Sequence, residues 1–178
     1  MLIENLDDVT VDYQKLIEIE NSKLKISKEV AFEVFKKGLE LKEDENPFDD
    51  DQLFNYFIES LENGKFEVKS EFINVIDIWL AKSNSQSILM RALIILDELT
   101  QFLPQTSVTD QLFLSIISDI KILFDTASSS GFDILKKMKK ICEENNSIEL
   151  LTDIQNDEEA TEEVCSLAQN VLTFIIQY

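Results

Sequence analysis

The sequence predicts an all-α fold, and three observations carry that prediction. Apolar residues recur at helical three-and-four spacing from about residue 28 to the C-terminus. The breaks between the apolar stretches are short and polar, which favours antiparallel neighbours. With 44% hydrophobic residues and 12 Phe, the chain is too apolar for an acidic disordered tail and can bury a core. The length suits one domain over residues 1–178, with two small ones as the other arrangement.

Residues 1–26 leave two readings open. Ile17-Glu18-Ile19 and Leu24-Lys25-Ile26 alternate with period two about Glu20–Lys23, which suits a small β-hairpin, whereas Tyr13 and Leu16 allow a helix. Ser27 is placed to cap a helix through Leu41 whose stripe is Val30, Ala31, Val34, Phe35 and Leu39. An acidic loop, Glu43-Asp44-Glu45-Asn46-Pro47-Phe48-Asp49-Asp50, stops it. Asp50 or Asp51 caps the next helix, with Leu53, Phe54, Phe57, Ile58 and Leu61 on one side and Asn63-Gly64 as its stop. Ser70 opens a third, carrying Phe72, Val75, Ile76, Trp79 and Leu80.

Ser83–Ser87 reads as a polar connector. The stretch from Ile88 to Leu103 is apolar around most of its circumference, so it is expected to be the most buried helix, ended by Pro104. Thr109 or Ser107 caps a long helix holding Leu112, Phe113, Ile116, Ile117, Ile120, Leu123, Phe124 and Ala127, closed by Ser128–Gly131. A shorter helix carries Leu135, Met138, Ile141 and Cys142 and frays at Asn145-Asn146. A turn or two spans Ile148–Ile154. The last helix starts near Asp157 and places Val164, Leu167, Ala168, Val171, Leu172, Ile175 and Ile176 on one face.

Composition excludes several chemistries. The chain has no histidine, so it holds no Ser-His-Asp triad, no Cys-His pair and no histidine metal ligand. Three glycines leave no phosphate-cradling loop, and Ser128-Ser129-Ser130-Gly131 lacks the Gly-Lys-Ser ending of one. The acidic loop does not fit an EF-hand, because the glycine at the sixth position is missing whether counting starts at Asp44 or Asp49. The expectation is a non-enzymatic protein with no cofactor and no metal. No basic-then-apolar leader stands at the N-terminus, and no run reaches the roughly 18 apolar residues of a membrane span, so a cytoplasmic chain that binds no membrane is expected. Cys142 and Cys165 sit at apolar positions and read as two buried free thiols.

Charge is the feature left to explain. There are 35 acids against 16 bases, a net charge of −19. Residues 1–64 hold 17 acids and 7 lysines, net −10; residues 65–131 are at −3; residues 132–178 hold 10 acids and 4 lysines, net −6. Direct nucleic-acid binding is disfavoured, since phosphate contacts need clustered cations. A basic protein partner fits instead, met by Glu43, Asp44, Glu45, Asp49, Asp50 and Asp51, with Phe48 either anchored in that partner or folded onto the core. Arg91, the sole arginine, reads as one half of a structural ion pair or as an interface hot spot. Lys136, Lys137, Lys139 and Lys140 read as a helix's polar face or as a contact for a phosphate or an acidic partner.

The pairs 51–62 with 71–82 and 88–103 with 109–127 look like consecutive helical hairpins. In this the chain resembles HEAT- and armadillo-like helical repeats, and residues 159–172 are similar to the second helix of such a repeat, although no period near 40 residues recurs. That resemblance implies a scaffold or adaptor with an apolar groove flanked by helices 71–82 and 109–127; an irregular helical bundle is the other architecture. In size, charge and lack of catalytic groups the chain also resembles small acidic bacterial immunity or antitoxin proteins, which implies an inhibitor that neutralises a basic toxin or nuclease.

Overall fold

The computed structural model describes residue 36, residues 47–62 and residues 65–177. Among these there are seven α-helices and no strand: α1 (Asp51–Glu62), α2 (Phe66–Lys82), α3 (Ser85–Phe102), α4 (Gln111–Ser128), α5 (Phe132–Glu144), α6 (Ser147–Ile154) and α7 (Glu162–Gln177). The all-α reading holds. The hairpin-or-helix question over 1–26, the Asn63-Gly64 stop and Glu43, Asp44 and Glu45 lie outside the described residues. So does the predicted helix over 27–41, apart from Lys36, which is helical. No helix of the described residues is long and apolar enough to cross a membrane.

Helix starts differ from the sequence reading in an instructive way. At α1 the Asp50 carbonyl accepts from Phe54 N at 3.0 Å, so Asp50 rather than Asp51 is the cap residue. α2 begins a turn before Ser70, with the Lys65 carbonyl accepting from Lys69 N. Ser70 is interior, its hydroxyl donating back to the Phe66 carbonyl at 3.0 Å. The connector over 83–87 shrinks to two residues, because Asn84 Oδ1 accepts from Ser87 N at 3.0 Å and draws Ser85–Ser87 into the first turn of α3. Asp110, not Ser107 or Thr109, precedes α4, and its carbonyl accepts from Phe113 N. α5 starts directly after Gly131, whose φ of +133° is a backbone state that side chains rarely adopt. Asp157 forms a turn, its side chain accepting from Glu159 N at 2.9 Å, and Thr161 is the cap of α7, accepting from Val164 N at 3.3 Å.

Where the sequence suggests one domain over 1–178 or two small ones, the chain gathers into two compact units, Met1–Ile78 and Trp79–Tyr178, divided within α2. In the described part of the first unit a 3-10 turn, Pro47–Asp49, packs on α1, and Phe57 of α1 meets Phe72 of α2 with ring centroids 5.9 Å apart. The second unit is two stacked helical hairpins. α3 packs on α4, and α5 pairs with α7 through the short α6; across the stack α3 lies on α5 and α4 on α7. α4 therefore touches α3, α5 and α7, which explains its broad apolar surface of Phe113, Ile116, Ile117, Ile120, Leu123, Phe124 and Ala127, all buried. Phe124 stacks on Phe174 of α7 at 6.1 Å.

α3 is not the all-round buried helix its composition suggests. Ile88, Ala92, Ile95, Leu96 and Leu99 are buried, but Met90 and Ile94 are 62% and 44% exposed. Its neighbours α4 and α5 cover two sides, and the side bearing Met90, Leu93 and Ile94 is left outward.

A polar tie locks the α3–α5 contact. Asn145, at the C-cap of α5, donates through Nδ2 to Asp97 Oδ1 and to Thr100 Oγ1, both at 2.8 Å, while Thr100 donates to the Leu96 carbonyl. Asn145→Ala is expected to lower stability by about 1–2 kcal/mol, since it removes the donor shared by two partly buried acceptors. Urea unfolding checks this, and a change within the scatter of repeat measurements would contradict it.

Candidate functional site

The acidic segment resolves into two parts with different fates. Phe48 is fully buried: it stacks on Phe57 at 5.1 Å and meets Phe54 edge-on at 5.8 Å. Of the two positions open to it, it takes the core, because three aromatic rings gathered at the start of α1 bury more apolar surface than one ring held in water. As folded it offers nothing to a partner. Asp49, Asp50 and Asp51 follow it and are exposed at the N-terminal end of α1, where the helix dipole favours carboxylates. Arg91 lies in α3 and is 9% exposed, so the fold encloses it and it does not stand out as a contact residue.

A second acidic surface is better defined. Asp153, Asp157, Glu158, Glu159, Glu162 and Glu163 occupy the end of α6, the turn after it and the first turn of α7, and all six are exposed. No Lys or Arg follows Lys140, so the last 38 residues hold nine acids and no base. The sequence reads Glu158, Glu159, Glu162 and Glu163 as solvated faces and Asp157 as the start of the last helix. The turn at Asp157 and the cap at Thr161 gather them into one ridge.

The other feature is a groove of mixed polar and apolar lining beside an exposed apolar strip. Between α3 and the start of α5 lies a groove of about 450 Å³ lined by Leu93, Ser130, Gly131, Phe132, Asp133, Ile134 and Lys137. Phe132 is 59% exposed at its mouth, and Met90 and Ile94 extend the apolar strip along α3, four residues apart on one side of that helix. Three of the four large exposed apolar residues described in the second unit are thus on this face; Ile176 is the fourth. The sequence-based expectation put a groove beside helices 71–82 and 109–127, and the one described here lies between 85–102 and 132–144. Helical periodicity gave no sign of it, because it assigned the α3 residues to the interior.

The groove holds one carboxylate, Asp133, where general acid–base work by two carboxylates would need a second. Among the described residues no cluster of three or more Cys, Asp or Glu is placed to hold a metal ion. Cys142 is buried and Cys165 half-buried, both as free thiols. Comparison of the chain with protein-family models, curated proteins and solved structures finds no match.

Proposed function

We propose that this chain is a non-enzymatic, acidic protein-binding module that works in the cytoplasm and neutralises a basic protein, in the manner of an immunity-type inhibitor of a cationic toxin or nuclease. The observation that carries this reading is the exposed carboxylate ridge from Asp153 to Glu163, in a C-terminal stretch with no base to offset it. Six exposed charges of one sign within eleven residues present a concentrated field. Such a field steers a cationic partner and raises its association rate by about 10- to 1000-fold at low salt. Asp49, Asp50 and Asp51 add to the negative surface. The reading needs neither cofactor nor metal.

The test is a charge reversal. Glu158→Lys, Glu159→Lys, Glu162→Lys and Glu163→Lys are made together, and both forms capture partners from the native host at low and high salt. The expected result is a basic protein that wild type retains at low salt, that binds more slowly as salt rises, and that the reversed ridge does not retain. Equal retention by both forms, or binding indifferent to salt, overturns the reading.

An adaptor reading has its own observation, the groove between α3 and α5 with Phe132, Met90 and Ile94 exposed around it. It requires that groove to receive a segment of another protein.

A further inference from the structure

We propose that the α3–α5 face is the interface of a symmetric homodimer, and that the occupant of its groove is a second copy of this chain. The face combines an apolar centre with a charge pattern that complements itself. Phe132, Met90 and Ile94 are exposed around the groove that Leu93 and Ile134 line. An exposed cluster of large apolar side chains on one face is the usual core of an interface.

The charges choose the partner. Asp133 and Lys137 are one turn apart on α5, both exposed and both at the groove. That spacing ordinarily favours an ion pair along a helix. At that spacing Lys121 pairs with Asp125, and Lys140 with Glu144 at 3.3 Å, whereas Lys139 and Glu143 on α5 stay apart. Asp133 and Lys137 form no ion pair with each other. A two-fold axis that sets α5 antiparallel to α5 of a second copy brings Asp133 of each against Lys137 of the other, giving two reciprocal pairs from one surface. Closing Phe132 and Ile94 over the same contact removes the exposed apolar strip from water.

Local charge also makes this face the favourable approach. Two chains of net charge −19 repel, yet four of the 16 cations of the chain lie between Lys136 and Lys140 on α5. Meeting along the ridge from Asp153 to Glu163 would set carboxylates against carboxylates only, whereas along α5 each copy brings Asp133 as well as lysines to the contact.

The test is sedimentation of the full chain across a concentration series, in salt high enough to bring the screening length below about 8 Å. A reversible dimer is expected. Phe132→Ser and Ile94→Ser each replace an exposed side chain, so helical content is unchanged, and each is expected to weaken the dimer by about tenfold or more. Lys137→Glu and Asp133→Lys each set like charges together and leave a monomer. Mixed in equal amounts, those two variants form a heterodimer, and the double swap Asp133→Lys/Lys137→Glu in one chain self-associates again. A monomer throughout the series overturns the proposal, and so does a dimer indifferent to these changes. A monomer leaves the groove open as the adaptor reading requires, and neither result touches the ridge.

Discussion

Phe48→Ala is expected to destabilise the protein by about 3–5 kcal/mol, the range for removing a fully buried aromatic ring whose cavity does not collapse. The ring is 0% exposed, stacked on Phe57 and edge-on to Phe54, and Phe57 in turn meets Phe72. Its loss therefore opens a void at the centre of an aromatic cluster that joins the Pro47–Asp49 turn to α1 and α2. Asp49→Asn, one residue on and exposed, is expected to change stability by no more than about 0.5 kcal/mol. Urea unfolding followed by helical circular dichroism separates the two. The contrast bears on function, because a residue between acids that anchored a partner would show the opposite pattern, with stability kept and binding lost. A Phe48→Ala protein as stable as wild type would take Phe48 out of the core.

That residue also marks the limit of what the sequence makes legible. Helical spacing identifies α1 to α5 and α7 because each must bury a stripe, while α6 reads only as a turn or two; Phe54, Phe57, Phe72, Ile76, Ile116, Leu123, Met138, Ala168 and Val171 are all buried as their spacing implies. Helix starts are harder, because a chain rich in Ser, Asn, Asp and Thr offers several adjacent caps. Ser70, Thr109 and Asp157 carry suitable side chains, yet Lys65, Asp110 and Thr161 hold the positions, and the choice rests on where the flanking apolar residues find a surface. The exposed apolar strip beside the groove is illegible for a related reason. Ile94 and Met90 look like Ile95 and Leu96 in any periodic analysis, and only the stacking of α3 on α4 and α5 decides which pair faces outward. The acidic ridge is visible in the sequence as charge, but its shape depends on the turn at Asp157. Glu43, Asp44 and Glu45 lie outside the described residues, so the ridge carries the electrostatic reading that the N-terminal acids suggest.

Above pH 9 the protein is expected to lose stability steeply, through Cys142. Burial pushes its thiol up from an ordinary value of 9.0 to about 12, with the neighbouring Glu143 carboxylate adding to the rise. The side chain is 0% exposed and sits on the inner side of α5 with Leu135 and Met138. The sign follows from which state keeps the proton. Between pH 9 and pH 12 the unfolded chain releases it and the folded chain holds it, so ionisation favours unfolding. The contribution is fully present below pH 9 and is lost as pH rises through 12, and at about 1.36 kcal/mol per unit it amounts to about 4 kcal/mol. The measurement is a difference between two proteins that share every other ionisable group. Urea unfolding of wild type and Cys142→Ala from pH 8 to pH 11 is expected to show wild type more stable at the start and the gap closing only above pH 9. Thiol labelling of the native protein gives the kinetic counterpart: Cys165, half-buried with its Sγ 3.7 Å from the Ile154 carbonyl, reacts first, and Cys142 reacts only as the helix opens. Parallel stability curves for the two proteins would mean that water reaches the Cys142 thiol on the inner side of α5.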